Sequence, residues 1–181
     1  MKCYLSSYKF GNEIETLKTL IPNNREIGVI KNARDFVGRD PKRAKNHLKD
    51  EIETLNKLGF KAEELNLQNY FGKKDKLQTK ITSLGAVWVS GGNTFVLRQA
   101  MFLSGFDKIF EEDIIYRIDF LWAGYSAGIC ILSPDLKAID VVDNPQNFPY
   151  ENHKEIIWAG LNFFDYYFMP HYDSDHIESE D

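Results

Sequence analysis

Gly124-Tyr125-Ser126-Ala127-Gly128 is a G-x-S-x-G pentapeptide that follows a strongly apolar run, Phe120 to Ala123. A small apolar segment, Ile129 to Leu132, leaves the pentapeptide and is suited to a helix. Strand, sharp turn and helix in this order are typical of an elbow that presents a serine on a strained backbone. The flanking glycines fit because the outgoing helix passes too close to the strand for a Cβ atom. We therefore predict that Ser126 is a nucleophile.

The composition is that of a soluble globular protein. The chain has 181 residues, of which 43% are hydrophobic and 27% charged, so it is long enough to bury a core. Its formal net charge of −5 disfavours nucleic acid or an anionic membrane as a partner, because both attract basic surfaces. The sequence contains neither a stretch of 18 apolar residues nor the apolar region of a signal peptide. We expect one domain, residues 1–181, in the cytoplasm.

Strand-like and helix-like segments alternate along the chain. Strands are predicted at Lys2 to Tyr8, Glu26 to Ile30, Phe60 to Leu67, Leu84 to Val89, Phe120 to Ala123, Leu136 to Val142, Ile156 to Leu161 and Phe163 to Met169. Helices are predicted at Asn12 to Leu20, Pro41 to Leu58, Phe95 to Phe102 and Phe106 to Ile115. In the second of these, Asp40 is a good N-cap and Gly59 a good stop. The alternation predicts an α/β fold: a mainly parallel sheet with helices on both faces and ligands at the carboxyl ends of its strands.

A serine nucleophile needs a base, and four histidines are available. His171 follows a predicted strand by two residues, which brings it to the sheet edge that carries Ser126, so we predict His171 as the base. The alternative is a strand-end histidine that only bonds the backbone. His176, in the acidic tail, is a weaker candidate, and His47 and His153 are expected on the solvated surface.

The remaining parts of an acyl-transfer site are an acid and two oxyanion donors. Asp140 is the preferred acid, and Asp143 and Glu178 are the alternatives. The amide of Ala127 is one natural oxyanion donor. The other is the amide of Gly92, in the glycine turn after the strand that ends at Val89, although that turn could equally be a strand-to-helix connection without substrate contact.

Three motifs resemble peptidase family S51, the dipeptidase E and cyanophycinase group, which has a class I glutamine amidotransferase-like (flavodoxin-like three-layer) fold. They are Val89-Ser90-Gly91-Gly92-Asn93-Thr94-Phe95, Ala123-Gly124-Tyr125-Ser126-Ala127-Gly128 and Met169-Pro170-His171-Tyr172. The resemblance implies a serine peptidase in which Ser126 is the nucleophile and His171 the base. It implies Asp140 as the acid, keeps Glu178 as an alternative, and assigns the glycine pair before Asn93 to the oxyanion hole.

The same resemblance implies hydrolysis of short peptides, with dipeptidase E suggesting an N-terminal aspartate. A cationic pocket would then be needed, for which Arg98 and Arg117 are candidates. Family members continue beyond the histidine segment into further helix and strand, whereas this chain ends ten residues after His171. We therefore expect a fold shortened at the C-terminus, and a catalytically silent binding or interaction protein of the same fold is the alternative function.

Other ligands are disfavoured by the sequence. A metal site would have to combine His171 and His176 with nearby carboxylates, and no helix fixes their spacing. Nucleotide-binding motifs are absent from the sequence, so we expect no metal and no cofactor. Cys3 and Cys130 lie in apolar segments and are expected to pack as free thiols. A thiol-based amidotransferase is disfavoured because serine occupies the elbow. The sequence leaves open whether the protein is a homodimer.

Overall fold

The core of the molecule is a parallel sheet. The computed structural model describes residues 1–36, 41–151 and 153–172, and in these ranges five strands pair in the order β1-β5-β4-β2-β3, all parallel. The strands are β1 (Lys2–Ser6), β2 (Glu26–Ile30), β3 (Lys61–Glu64), β4 (Ala86–Val89) and β5 (Leu121–Tyr125). This confirms the predicted α/β class.

Helices cover both faces of the sheet. They are α1 (Ile14–Thr19), α2 (Pro41–Leu58), α3 (Lys74–Thr82), α4 (Thr94–Ser104), α5 (Phe106–Glu112) and the short α6 (Ala127–Cys130). On one face, Leu17 of α1 and Leu55 of α2 pack in the apolar cluster of Trp88. On the other face, helices α3 to α6 pack against Val87, Val89 and Trp122, while β4 and β5, buried on both faces, read as continuous apolar runs.

The long helix α2 begins and ends where the sequence predicts. It starts at Pro41, and Gly59 follows its last residue with φ 105°, a left-handed conformation that costs glycine little. The predicted N-cap, Asp40, lies outside the described residues. No helix in the described ranges is long and apolar enough to cross a membrane.

The segment after α6 is less regular than predicted. The strand expected around Leu136 to Val142 is wrong, because Lys137–Ile139 form a 3-10 helix. The expected strand Ile156 to Leu161 is reduced to one isolated bridge, in which Ala159 faces Asp135. The β-prone run Phe163 to Met169 is not a strand either. The amides of Phe163 and Phe164 donate to the carbonyl of Leu132, just after α6, and the Phe164 ring packs edge to face against the rings of Phe163 and Phe168.

The sheet sets the position of the candidate site. All five strands point the same way, so the segments that follow them emerge at one edge. Ser7 follows β1, the 3-10 turn Asn32–Arg34 follows β2, the glycine turn that begins at Ser90 follows β4, and Ser126 follows β5.

Candidate active site

Ser126 stands on a strained turn between β5 and α6. Its φ of 50° and ψ of −117° are rare for a residue with a side chain, as the elbow motif predicts. The glycines on either side are required by space: a Cβ atom would lie 2.7 Å from the Val89 carbonyl oxygen at Gly124 and 2.1 Å from it at Gly128. As it leaves the elbow, helix α6 therefore packs directly against the neighbouring strand β4.

His171 lies beside this serine. Its Nε2 atom is 3.4 Å from the Ser126 Oγ atom, and the residue is only 4% exposed. Its backbone is also left-handed, with φ 67°, and its amide donates to the Ser7 hydroxyl at 2.7 Å. The Tyr8 ring packs edge-on against the imidazole. The predicted strand before His171 is absent, but the histidine still reaches the serine.

The glycine turn after β4 borders the same serine. A Cβ atom at Gly91 would lie 2.9 Å from the Cβ atom of Ser126, and one at Gly92 would lie 2.5 Å from the Ala33 carbonyl oxygen. Within the described ranges, neither the Gly92 amide nor the Ala127 amide donates a hydrogen bond to another residue. Both amides therefore remain candidates for the oxyanion donors.

The three candidate acids are placed differently. Asp143 lines the cavity that holds Ser126 and His171, and its Oδ2 atom accepts a hydrogen bond of 2.8 Å from the Thr94 amide. Asp140 has an exposed side chain and is not among the described residues that line this cavity. Glu178 lies outside the described residues.

The cavity at the serine has a volume of about 330 Å³ and is lined by several charged and polar side chains, for which we call it the polar cavity. Besides Ser126, His171 and the glycine turn, it is lined by Tyr8, Arg34, Phe36, Asn93, Tyr125, Asp143 and Asn147. Arg34, from the turn after β2, thus brings a guanidinium to the edge of the sheet where Ser126 stands.

Arg34 is held by a network below the cavity. Its Nη2 atom lies 3.2 Å from both the Tyr125 hydroxyl and the His47 Nε2 atom. His47 in turn lies 3.5 Å from the carboxylate of Glu51, one turn further along α2. The expectation that His47 is a solvated surface residue is wrong, since its side chain is partly buried in this network.

Glu51 is ionised within the network although it is buried. Burial raises the pKa of its carboxyl, but hydrogen bonds from His47, Ser90 and Trp88 lower it by more, so the net pKa lies below its ordinary value. Burial and the neighbouring Glu51 raise the pKa of Tyr125, whose hydroxyl therefore keeps its proton and donates.

The family model of peptidase family S51 matches residues 40–181. The chain belongs to peptidase family S51. The S51 motifs at Val89–Phe95, Ala123–Gly128 and Met169–Tyr172 lie within the matched range.

Similar curated proteins are uncharacterized peptidases. One from Listeria monocytogenes is 31% identical over 120 residues, which are 66% of this chain and 55% of the relative. One from Listeria innocua is 31% identical over 120 residues, or 54% of its length. The chain thus spans about half the length of the curated relatives it matches.

Solved structures agree on the fold. A crystal structure described as a candidate peptidase E of Listeria monocytogenes superimposes with a TM-score of 0.76 at 26% identity, covering 97% of this chain and 81% of that one. A peptidase from an acI-B1 actinobacterium superimposes with a TM-score of 0.51 at 15% identity, covering 74% and 57%. The second likeness concerns the fold alone.

A second cavity opens on the other side of Ser126 in this S51 protein. It has a volume of about 440 Å³ and a mainly apolar lining that includes Cys130, Ile139, Val142 and Phe168. Ser126 therefore lies where the polar cavity meets an apolar one.

The other residues singled out by sequence lie elsewhere in the S51 fold. Arg98 is buried against Asp107, with Nη1 3.0 Å from the carboxylate, and Arg117 donates to the carbonyls of Ile81 and Leu84. Neither is among the described residues that line the polar cavity. His153 packs beside Phe102 and is only partly exposed, so its predicted solvated position is also wrong.

Cys3 and Cys130 form no disulfide, Cys130 is buried, and burial raises the pKa of the Cys3 thiol to about 11. Among the described residues, no group of three or more His, Cys, Asp and Glu side chains is arranged to hold a metal ion. His176 and the acidic residues after Tyr172 lie outside the described residues.

Sequence reasoning missed Arg34, His47 and Glu51. Two features of the sequence point to Arg34 and Glu51. Arg34 follows the carboxyl end of β2, the sheet edge already predicted to bind ligands. Glu51 lies three residues after Leu48 and four before Leu55, so it is a carboxylate within the apolar stripe of α2.

Proposed function

We propose that this protein is a serine peptidase of the dipeptidase E type that hydrolyses short peptides through an acyl-enzyme on Ser126. The observation that carries the proposal is the 3.4 Å separation between the His171 Nε2 atom and the Ser126 Oγ atom, with Ser126 held in a strained conformation. A distance of this size suits a free enzyme, because catalytic hydrogen bonds are often long before substrate binds.

The chemistry follows from this pair. The Ser126 oxygen attacks the carbonyl carbon of the scissile peptide while its proton passes to His171 Nε2. The amides of Gly92 and Ala127 bind the negative oxygen of the tetrahedral intermediate. As the carbon–nitrogen bond breaks, the leaving amine takes the proton from His171. A water molecule then attacks the ester with His171 as base, and the released acid leaves Ser126 restored.

The substrate class is proposed from the charge of the polar cavity. The Arg34 guanidinium lines it, and a guanidinium offers two parallel donors to a carboxylate. An aspartate side chain at the N-terminal residue of a short peptide could then bind Arg34 while its own carbonyl lies at Ser126. We therefore propose Arg34 as the cationic residue of the substrate pocket, in place of Arg98 and Arg117, which were the candidates from the sequence. A cytoplasmic location remains a prediction from the sequence.

The acid is proposed to be Asp143 rather than Asp140. Asp143 shares the cavity with His171, whereas the exposed side chain of Asp140 is not among its described lining residues. An ionised carboxylate in this cavity would stabilise the imidazolium that forms when Ser126 is deprotonated.

A fluorophosphonate probe tests the nucleophile. The wild type should be labelled and Ser126→Ala should not. Ser133→Ala is the matched control, because Ser133 is a buried serine near the elbow whose hydroxyl has no hydrogen-bond partner among the described residues. Labelling that is absent from the wild type, or that survives in Ser126→Ala, would make the peptidase proposal wrong. The first outcome would favour the silent binding protein.

A further inference from the structure

Glu51 links the two loops that would carry the chemistry. We propose that Glu51 is a positioning residue that holds the nucleophile elbow and the glycine turn at the separation that acyl transfer needs. The inference rests on the proposed peptidase function and adds a residue that touches neither the substrate nor the reacting atoms.

Both oxygens of this carboxylate are occupied. Oε1 accepts from the Tyr125 hydroxyl at 3.0 Å and from the Trp88 indole at 3.2 Å. Oε2 accepts from the Ser90 hydroxyl at 2.7 Å. Glu51 is 4% exposed, so water cannot replace these donors, and a buried carboxylate is retained only where such bonds offset its desolvation.

The two hydroxyls belong to residues that adjoin the site. Tyr125 directly precedes Ser126, and Ser90 directly precedes the Gly91-Gly92 turn. The paired register of β4 and β5 ends at Val89 and Gly124, and the Ser90 amide donates to Ile30 of β2 instead. Beyond the end of that register, the Glu51 carboxylate bridges Ser90, which directly follows β4, and Tyr125, the last residue of β5, which pairs with Ser6 of β1.

The bridge is charged and directional. The pKa of Glu51 lies below its ordinary value, so the carboxylate is ionised near neutral pH, and hydrogen bonds to an ionised acceptor are stronger than neutral ones. Tyr125 and Ser90 can both donate to it at once. A carboxylate at this position therefore fixes both hydroxyls, whereas an apolar side chain would fix neither.

The position of the loops matters because the proposed oxyanion donors lie one on each. The Gly92 amide belongs to the glycine turn and the Ala127 amide to the elbow. A displacement of about 1 Å in catalytic geometry can lower a rate by about 100-fold. Loss of the bridge should therefore slow the acylation of Ser126 more than it weakens substrate binding.

The experiment compares Glu51→Ala and Glu51→Gln with the wild type. The measured quantities are the second-order rate constant of fluorophosphonate labelling, and kcat and KM on an aspartyl peptide substrate, at a temperature where each variant is folded by circular dichroism. Asp107→Asn is the matched control, because it disrupts a largely buried ion pair, with Arg98, outside the polar cavity.

We expect Glu51→Ala to label about 100-fold more slowly, with a fall in kcat and little change in KM. Glu51→Gln keeps one oxygen acceptor and should recover part of the rate, while Asp107→Asn should label as the wild type does. If Glu51→Ala does not fold, the comparison rests on Glu51→Gln, Tyr125→Phe and Ser90→Ala. Each should slow labelling, and combining Tyr125→Phe with Glu51→Gln should add less than the sum of the two effects.

Two outcomes would contradict the positioning role of Glu51. They differ in whether the peptidase proposal also fails. If the wild type labels at Ser126 and the folded Glu51 variants label equally fast, or slow no more than Asp107→Asn, Glu51 has no positioning role and the peptidase proposal stands. If the wild type does not label at all, the peptidase proposal fails and the positioning role fails with it.

Discussion

The Nε2 atom of His171 lies 3.4 Å from the Oγ atom of Ser126, although 45 residues separate them in the chain. Both residues have left-handed backbones, with φ of 67° and 50°. Such conformations cost on the order of 1–3 kcal/mol each and persist where the surrounding structure enforces them. The Ser7 hydroxyl, which accepts from the His171 amide, is one part of that enforcement. The proximity of His171 and Ser126 therefore depends on the backbone conformation of both residues.

Replacing His171 by Gln should lower kcat by roughly 10²- to 10⁴-fold, because Ser126 would lose the base that accepts its proton. The KM should change much less, since the polar cavity keeps its other lining residues. His153→Gln is the control, because His153 packs beside Phe102 away from the polar cavity. Steady-state kinetics on a short peptide decide the point, and equal losses in the two variants would contradict the assignment of the base.

Replacing Asp143 by Asn should lower kcat far more than replacing Asp140 by Asn. Asp143 lies in the cavity with His171 and also accepts from the Thr94 amide, whereas Asp140 is exposed. Both substitutions remove one negative charge and keep the side-chain size, so general electrostatics are matched. The measurement is kcat for each variant. A larger loss in Asp140→Asn would restore the acid that the sequence favoured.

Replacing Arg34 by Met should remove a preference for acidic substrates. Losing a charge-assisted hydrogen bond costs about 1.5–3 kcal/mol, so kcat/KM on an aspartyl substrate should fall by roughly 10- to 100-fold. The matching asparaginyl substrate should be affected much less. Arg117→Met, which removes an arginine bonded to backbone carbonyls elsewhere, is the control for lost charge. An unchanged ratio between the two substrates would show that Arg34 does not select the side chain.

The sequence was most informative at glycines whose positions require either the absence of a Cβ atom or a left-handed backbone. The sequence predicts that Gly124 and Gly128 must lack a side chain, and a Cβ atom at either position would indeed collide with Val89. The end of α2 at Gly59 was predictable for a similar reason, since glycine adopts a left-handed backbone at little cost. The requirement at Gly59 is met within a few residues of the end of α2. The requirement at Gly124 and Gly128 comes from the neighbouring strand β4, and it was predictable because the G-x-S-x-G spacing is itself the mark of that close approach.

Predictions failed where long-range packing decides the structure. The aromatic run from Phe163 has strong β propensity, but that propensity reflects packing on a half-buried pleated surface. Here the rings pack on Phe110 and on one another, and the amides of Phe163 and Phe164 donate to the Leu132 carbonyl just after α6. The surroundings of His47 likewise depend on Arg34 and Tyr125, which approach it only after folding.

Replacing Gly128 by Ala should strongly destabilise the protein. The new Cβ atom would lie 2.1 Å from the Val89 carbonyl oxygen, and backbone cannot move aside as a flexible side chain can. We expect a loss of about 3 kcal/mol or more, which lowers Tm by roughly 6–12 °C in a chain of this size. Gly72→Ala is the control, since its Cβ atom would meet nothing within 4 Å and the cost is left-handed strain alone. Equal Tm values for the two variants would contradict the close approach of α6 to β4.

Replacing Glu51 by Gln should change how stability depends on pH. The folded-state pKa of Glu51 lies below its ordinary value of 4.5, so the unfolded state takes up a proton first as the pH falls. The stabilisation from the ionised carboxylate is therefore complete above about pH 5 and is lost as the pH falls through the folded-state pKa. Urea denaturation should show a larger difference in unfolding free energy between wild type and Glu51→Gln at pH 7 than at pH 3. Glu53→Gln, on the exposed side of the same helix, should show no such dependence. A difference that is constant with pH would mean that Glu51 is not ionised in the folded protein, and its hydroxyl partners would then be held by a neutral acid.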